Sequence, residues 1–312
     1  MSVFTPVSDA DARALLSHYP LGELEKLEGI AQGVENTNYF LTTTTGEYVL
    51  TLFEQIPRAD LPFYVGLMDH LARRGVRCPV PMHREHGDML SEVNGKVACI
   101  VTRLPGAPRA RPGVHDCHAA GALLGDLHAA GVDYDAGLAN ARGREWREDF
   151  AAQVAPLLSR DENDLIVAEN AYQASQDDTA LPQGVIHGDF FHDNVLWDDE
   201  DQGGVIDFYF ACDDVLLYDV AIAVNDWCAT PEAKLDRERE HAFLAGYVSR
   251  RPLEDNERAS WVAMLRRAAL RTWLGRLGYN HFPREASMTI AKDHAFSRRL
   301  LEHHVERSRA AA

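Results

Sequence analysis

The stretch Gly184–Asp214, GVIHGDFFHDNVLWDDEDQGGVIDFYFACDD, is the densest polar cluster in the chain, and its reading decides the fold. Val185-Ile186 and Val195-Leu196 are apolar pairs, Gly203-Gly204 turns the chain, and Val205-Ile206 starts a third run that ends at Asp207. Short apolar runs between turn residues read as strands. Asp189 and Asn194 then fall on the loop after the first run, and Asp207 just past the third. Three oxygen-bearing side chains are expected at one end of a single small sheet.

This set suits phosphoryl transfer. Magnesium takes hard oxygen ligands, one or two carboxylates beside phosphate oxygens and water. A separate carboxylate must orient the attacking hydroxyl and take its proton. Asp189 fits the base, and Asn194 and Asp207 fit the metal. His187, after an apolar pair, points inward as a brace for the loop.

Upstream, the texture changes from strands to helices. Ser8–Ser17 reads as a short helix with Ser8 as N-cap. Thr37–Thr43 and Glu47–Phe53 flank Thr45-Gly46 as a hairpin. Leu61, Val65, Met68 and Leu71 have helical spacing, and Gly75 ends that run. Leu104–Val114, rich in Pro and Gly, is the best linker. Beyond it the chain is mostly helical, apart from the quoted stretch, with a break near Pro231. The expectation is an α+β fold with a β-rich lobe, residues 1–104, that binds nucleotide, and a mainly helical lobe, residues 105–312, that carries catalysis and substrate. A cleft between such lobes is a common ligand site.

The quoted stretch now supports a resemblance. HGDFFHDN followed by VIDF is similar to the catalytic and metal-binding loops of aminoglycoside-phosphotransferase-like kinases, which share the protein-kinase fold. The resemblance covers nearly the whole chain. It implies that Asp189 is the base, that Asn194 and Asp207 hold magnesium, and that ATP is the phosphate donor. It places Gly29–Phe40, with Gly33, Asn36, Thr37 and Asn38, where a nucleotide-covering loop would lie, although the same residues would suit an ordinary polar turn. Adenine would meet the linker backbone at Arg103 and Leu104. One position departs from the pattern. Thr51 stands where similar kinases often carry a phosphate-binding lysine, and Leu61–Arg74 has no glutamate to pair with one.

Six separated blocks resemble the homoserine-phosphorylating members of the family: residues 1–8, 33–54, 61–75, 218–228, 271–277 and 281–302. The threonine at Thr51 is a trait of that group. The resemblance implies L-homoserine as phosphate acceptor, in threonine biosynthesis. An amino acid offers a carboxylate that suits an arginine fork and an ammonium that suits an acid. Asn225, Asp226 and Trp227 follow an apolar helical stretch, and Arg271 and Arg276 lie on another. They are candidates for substrate contact. Asp226 and Arg271 would equally serve as an internal ion pair between helices. Asp219, in YDVA, is expected to brace the catalytic loop through backbone amides. His115, His118 and His128 lack metal spacing and are read as solvated or packing groups. Rival substrates are choline, an amino sugar or hydroxylysine, and a nucleotide-binding regulator without turnover is the rival of another class.

Composition narrows the partners. The 312 residues carry a formal charge of −17, so non-specific grip on nucleic acid or an anionic membrane is excluded as a main role. Five cysteines without a CxxC pair fit reduced thiols in the cytoplasm. The N-terminus has no basic segment followed by an apolar run, so no signal peptide is expected. The oligomeric state is not legible.

Overall fold

The hairpin around Thr45-Gly46 is the seed of an antiparallel sheet. A computed structural model of the chain describes residues 3–30, 35–282 and 293–311. They fall into two compact units that divide after Pro105.

The first unit runs from the N-terminal residues to Pro105. Helix α1 (Asp9–Leu16) opens on a reciprocal cap, in which Ser8 Oγ accepts from the Asp11 amide at 3.2 Å and Asp11 accepts from the Ser8 amide at 2.9 Å. Strands β1 (Leu24–Gly29), β2 (Thr37–Thr43), β3 (Gly46–Leu52), β4 (Leu90–Val93) and β5 (Lys96–Thr102) form one sheet in the order β1-β2-β3-β5-β4. Tyr39, Leu41, Leu50, Leu52 and Ile100 bury one face of it against Leu15, Leu16 and Leu21. The period-2 alternation of β2 produces this, since every second residue turns to the core. Helix α2 (Leu61–Arg73) lies between β3 and β4 in the chain.

The second unit holds Gly106–Phe282 and the described residues after position 292. Its helices are α3 (Val114–Gly131), α4 (Arg144–Val154), α5 (Arg160–Ala174), α6 (Leu216–Trp227), α7 (Arg237–Val248), α8 (Asp255–His281) and α9 (His294–Ala311). Gly106 has φ 109°, and a Cβ there would lie 2.4 Å from the Trp197 carbonyl oxygen, so only glycine fits this start. Helix α6 is buried almost all round, from Leu216 to Asn225, and is the core rod of the unit.

The quoted stretch differs from its sequence reading in one respect. It does not make one sheet. Strand β6 (Gln183–Ile186) pairs with β9 (Cys212–Val215), and β7 (Val195–Trp197) pairs with β8 (Gly203–Val205), as two separate ribbons. The sequence reading missed β9 because Cys-Asp-Asp-Val lacks an apolar run, and its partner strand supplies the pairing instead.

Helices α3 and α7 touch backbone to backbone. A Cβ on Gly246 would lie 1.9 Å from the His118 carbonyl oxygen, and one on Gly121 would lie 2.0 Å from that of Phe243. Neither backbone can give way cheaply in a packed core. Gly246→Ala is therefore expected to destabilise the protein by about 3 kcal/mol, read as a lowered thermal midpoint.

Candidate active site

In the second unit, the loop read from sequence as catalytic runs from His187 to Asn194 between β6 and β7. Gly188 takes φ 72°, and a Cβ there would lie 2.5 Å from the Phe210 carbonyl oxygen. The glycine of HGD is thus demanded twice, by the left-handed backbone and by close approach.

Two aspartates of α6 hold this loop at both shoulders. Asp219 accepts from the His187 amide at 2.7 Å and the Gly188 amide at 2.9 Å. Asp226, seven residues on, accepts from the His192 amide at 2.7 Å and from His192 Nδ1 at 2.6 Å. Between these clasps, Trp227 Nε1 donates to the Phe190 carbonyl at 3.0 Å. Asp219 thus has the bracing geometry expected from sequence. The partner of Asp226 is a histidine of the loop rather than an arginine.

His187 is fully buried and ties the loop to the neighbouring ribbon. Its Nε2–H donates to the Ile206 carbonyl at 3.0 Å, and its Nδ1 accepts from the Asp189 amide at 3.2 Å. Ile206 in turn donates its amide to the Asn194 carbonyl at 2.9 Å. These bonds bring the backbone before Asp207 alongside Asn194. Asp207 itself sits at φ 64°, ψ 61°, a costly conformation for a residue other than glycine. Asn194 Nδ2 donates to the Asp189 carbonyl at 2.9 Å and to Asp189 Oδ2 at 3.2 Å. That leaves Oδ1 as the acceptor end of the Asn194 amide. Asn194 and Asp207 together offer hard oxygens, a donor set that fits magnesium.

Asp189 also faces Arg271, whose NH1 lies 3.6 Å from Oδ1. Arg271 belongs to a row of arginines on α8, each beside a carboxylate. Arg266 grips Glu169, with Nε at 3.0 Å, and Arg267 reaches Asp178 at 2.8 Å and Asp214 at 3.3 Å. The contact of Arg271 with Asp189 is the longest of these and is not a hydrogen bond.

A cavity of about 600 Å³ opens beside the loop, wholly within the second unit, and shares Phe191 and His192 with it. Asn225, Asp226, Trp227 and Arg276 line it, whereas Asp189 and Arg271 do not. Asn225 has its amide engaged by protein: Nδ2 donates to the Leu265 carbonyl at 2.9 Å, and Oδ1 accepts from His304 Nε2 at 2.7 Å. Trp227 is fully buried. Arg276 donates to the Asp293 carbonyl at 3.1 Å; burial lowers its pKa, opposed by the charges of Asp226, Asp293 and Asp193.

Two buried histidines set a pH dependence. Burial lowers the pKa of His187, against the pull of Asp219 and Asp189. Burial also puts His304 well below the usual histidine value, helped by Arg307. Each therefore binds a proton more readily unfolded than folded, and the stability it confers is present above the unfolded value, about 6.5, and lost as pH falls. Asp219 acts in the same sense at lower pH. Burial alone would raise its pKa, but the hydrogen bonds from the His128 ring and the His187 amide oppose that and help to hold it low. The urea midpoint is expected to fall between pH 7.5 and 5.5, at up to about 1.4 kcal/mol per pH unit for each histidine. An unchanged midpoint would contradict neutral His187 and His304.

The first unit holds the residues read as nucleotide contacts. Gly33 lies outside the described residues. Asn36, Thr37 and Asn38 have their side chains engaged within the unit. Thr37 Oγ1 accepts from the Phe4 and Thr5 amides and donates to Glu54 Oε1 at 2.7 Å, and Thr51 Oγ1 donates to Asn38 Oδ1 at 2.8 Å. Asn36 Oδ1 accepts from the Glu54 amide at 3.4 Å. Arg103 stacks over Phe40 at 4.1 Å and pairs with Glu47 at 3.4 Å, and Leu104 follows it at the end of the unit. Sequence reasoning missed the pair of Lys96 and Glu54, 3.0 Å apart, which fastens this corner. Burial opposes the charge of Glu54, but bonds from Thr37, Lys96 and Thr5 hold its pKa low. Of the two roles left open for His128, solvated or packing, the ring is buried, and its bond to Asp219 at 3.1 Å was missed. A polar ring among Leu124, Leu127 and glycines on one helix was the available signal, because such a group needs a partner.

Known proteins bear on this geometry in three ways. The sequence matches the family described as "Phosphotransferase enzyme family" over residues 26–253. It is 48% identical over 305 residues to a homoserine kinase of Methylobacillus flagellatus, covering 98% of this chain and 96% of that one. It is 43% identical over 318 residues to a homoserine kinase of Burkholderia mallei, covering 98% and 96%. Among solved structures, an amicoumacin kinase in complex with AMP-PNP and Ca2+ superposes with a TM-score of 0.72 at 14% identity, over 96% of this chain and 94% of that one, a likeness of fold. The family match spans most of the chain and takes in the whole catalytic loop: this chain belongs to the phosphotransferase enzyme family.

Proposed function

We propose that the protein is a homoserine kinase, which transfers the γ-phosphoryl group of ATP to the hydroxyl of L-homoserine in threonine biosynthesis. The observation that carries this reading is 48% identity, over nearly the full length of both chains, to a homoserine kinase. The loop geometry agrees in kind. Asp189 accepts the proton of the substrate hydroxyl and aims its oxygen for in-line attack. Asn194, already tied to Asp189, keeps base and cation site in register. Asn194 Oδ1 and the Asp207 carboxylate would hold Mg2+, which when bound screens the phosphate charge. Asn36, Thr37 and Asn38 shape the backbone at the end of the nucleotide-covering loop, while Arg103 and Leu104 meet adenine. Gly33 belongs to the same proposal. Residues 1–104 serve nucleotide and residues 105–312 serve catalysis and substrate.

For the amino-acid end, Arg276 in the cavity wall takes the carboxylate and Asp226 faces the ammonium. Arg271 steadies the base, and Asn225 and Trp227 hold the wall in place. No helix among the described residues is long and apolar enough to cross a membrane; a cytoplasmic location is part of the proposal. A substrate panel tests it: ADP release with MgATP and homoserine, choline, an amino sugar or hydroxylysine. Turnover with homoserine well above the others is the expected result. Turnover with choline and none with homoserine would overturn it.

A further inference from the structure

Asp219 is itself held from behind, by a chain of polar groups that passes through three further elements. His128 on α3 approaches Asp219 Oδ2 through Nε2 at 3.1 Å. Its Nδ1 meets the Tyr247 hydroxyl of α7 at 2.8 Å. Tyr247 is met by Arg251 NH1 at 3.2 Å, and Arg251 NH1 reaches Glu257 Oε1, in the first turn of α8, at 2.9 Å. His128, Tyr247, Asp219 and Glu257 are all buried.

For a neutral His128 ring the bond directions follow from the carboxylate end. Asp219 can only accept, so His128 carries its proton on Nε2 and donates it there. Its Nδ1 is then an acceptor and takes the Tyr247 proton. Arginine can only donate, so the Tyr247 oxygen accepts from Arg251. The row Arg251→Tyr247→His128→Asp219 is polarised in one sense, and such rows strengthen each member. Asp219 passes the constraint on, because its two oxygens fix the amides of His187 and Gly188, next to Asp189. The close glycine contact of α3 and α7 is what brings Tyr247 within reach of His128. At Gly125, a Cβ would lie 3.0 Å from the Tyr247 carbonyl oxygen.

We propose that His128 and Tyr247 are positioning residues, which fix the carboxylate of Asp219 and through it the place of Asp189. A carboxylate with only two amides to hold it can swing about its χ angles. A third donor, itself locked by Tyr247, removes that freedom. The consequence falls on turnover rather than on acceptor binding, because neither residue lines the cavity. The proposal rests on the reading of Asp189 as base.

Three variants of the full chain test it: Tyr247→Phe, His128→Leu and His128→Gln, assayed with MgATP and the best acceptor of the substrate panel. A misplacement of about 1 Å can cost roughly a hundredfold in rate. His128→Leu is expected to lower kcat to about that extent and Tyr247→Phe by about fivefold, both with KM within about twofold of the parent. His128→Gln, which can place an N–H near the former Nε2, is expected to recover about tenfold of the loss. Amide hydrogen exchange at residues 187–192 is expected to quicken in Tyr247→Phe. Folded His128→Leu and Tyr247→Phe proteins with parental kcat and parental exchange would overturn the proposal, as would a loss shared equally by Leu and Gln. If His128→Leu does not fold, Tyr247→Phe decides. An Asp189→Asn control that keeps full turnover would remove the base reading instead, and the exchange measurement would still report on the brace.

Discussion

Asp189→Asn is expected to lower kcat by about a hundredfold to ten-thousandfold, with the KM for ATP little changed. The loss of a positioned general base costs on this scale. The substitution is nearly isosteric, and the surroundings of Asp189 tolerate it. Its amide stays bonded to His187 Nδ1 and its carbonyl to Asn194. The new side chain keeps an oxygen but cannot accept a proton. It also removes a negative charge 3.6 Å from Arg271, so any change in stability comes from that buried cation. Steady-state ADP release, set against thermal unfolding of the same variant, separates the two effects. Parental turnover in a folded Asp189→Asn protein would show that the proton leaves by another route.

Asp219→Ala should do the greatest harm to the structure. Asp219 is fully buried and takes three donors: the amides of His187 and Gly188 and the ring of His128. Truncation leaves all three buried without an acceptor. Removing one partner of a buried charged cluster costs about 3–5 kcal/mol, which is a large share of a typical folding free energy. The variant is expected to show a lowered thermal midpoint and almost no turnover. Asp219→Asn keeps one acceptor oxygen, and one of its amide hydrogens must face a donor, so it should lie between parent and alanine variant. A Tm for Asp219→Ala within a degree or two of the parent would mean that the catalytic loop holds itself.

The shape of the His187–Asn194 loop was legible in the sequence because its demands are local. Gly188 must be glycine, the spacing of Asp189 and Asn194 is fixed by one tight loop, and Asp207 follows a glycine turn. The β-then-α order was legible from period-2 alternation giving way to helical spacing at the linker. What could not be read was the set of bonds made across many residues. His128 and Asp219 are 91 residues apart, and Lys96 and Glu54 are 42 apart. No window of sequence shows such pairs. Of the five substrate candidates, Asn225, Asp226, Trp227 and Arg276 line one cavity and Arg271 does not, yet the polar atoms of Asn225 and the ring of Trp227 face protein partners. A helix that is apolar on all sides leaves its few polar groups facing neighbours as readily as ligands, so residue type alone could not separate the two.

The seven-residue interval between Asp219 and Asp226 makes α6 a gauge for the loop. Two turns of helix measure about 10 Å, and the carboxylates at the two ends of that interval hold the Gly188 and His192 amides. One residue added between the two aspartates would rotate Asp226 by about 100° and release His192 from its carboxylate, whatever else stayed in place. After Trp227 the chain contributes Ala229, Thr230 and Pro231 to the cavity wall, with Arg239 donating to the carbonyls of Trp227 and Ala229. A substitution in that stretch of wall leaves the Asp219–Asp226 interval, and the two amides it holds, as they are.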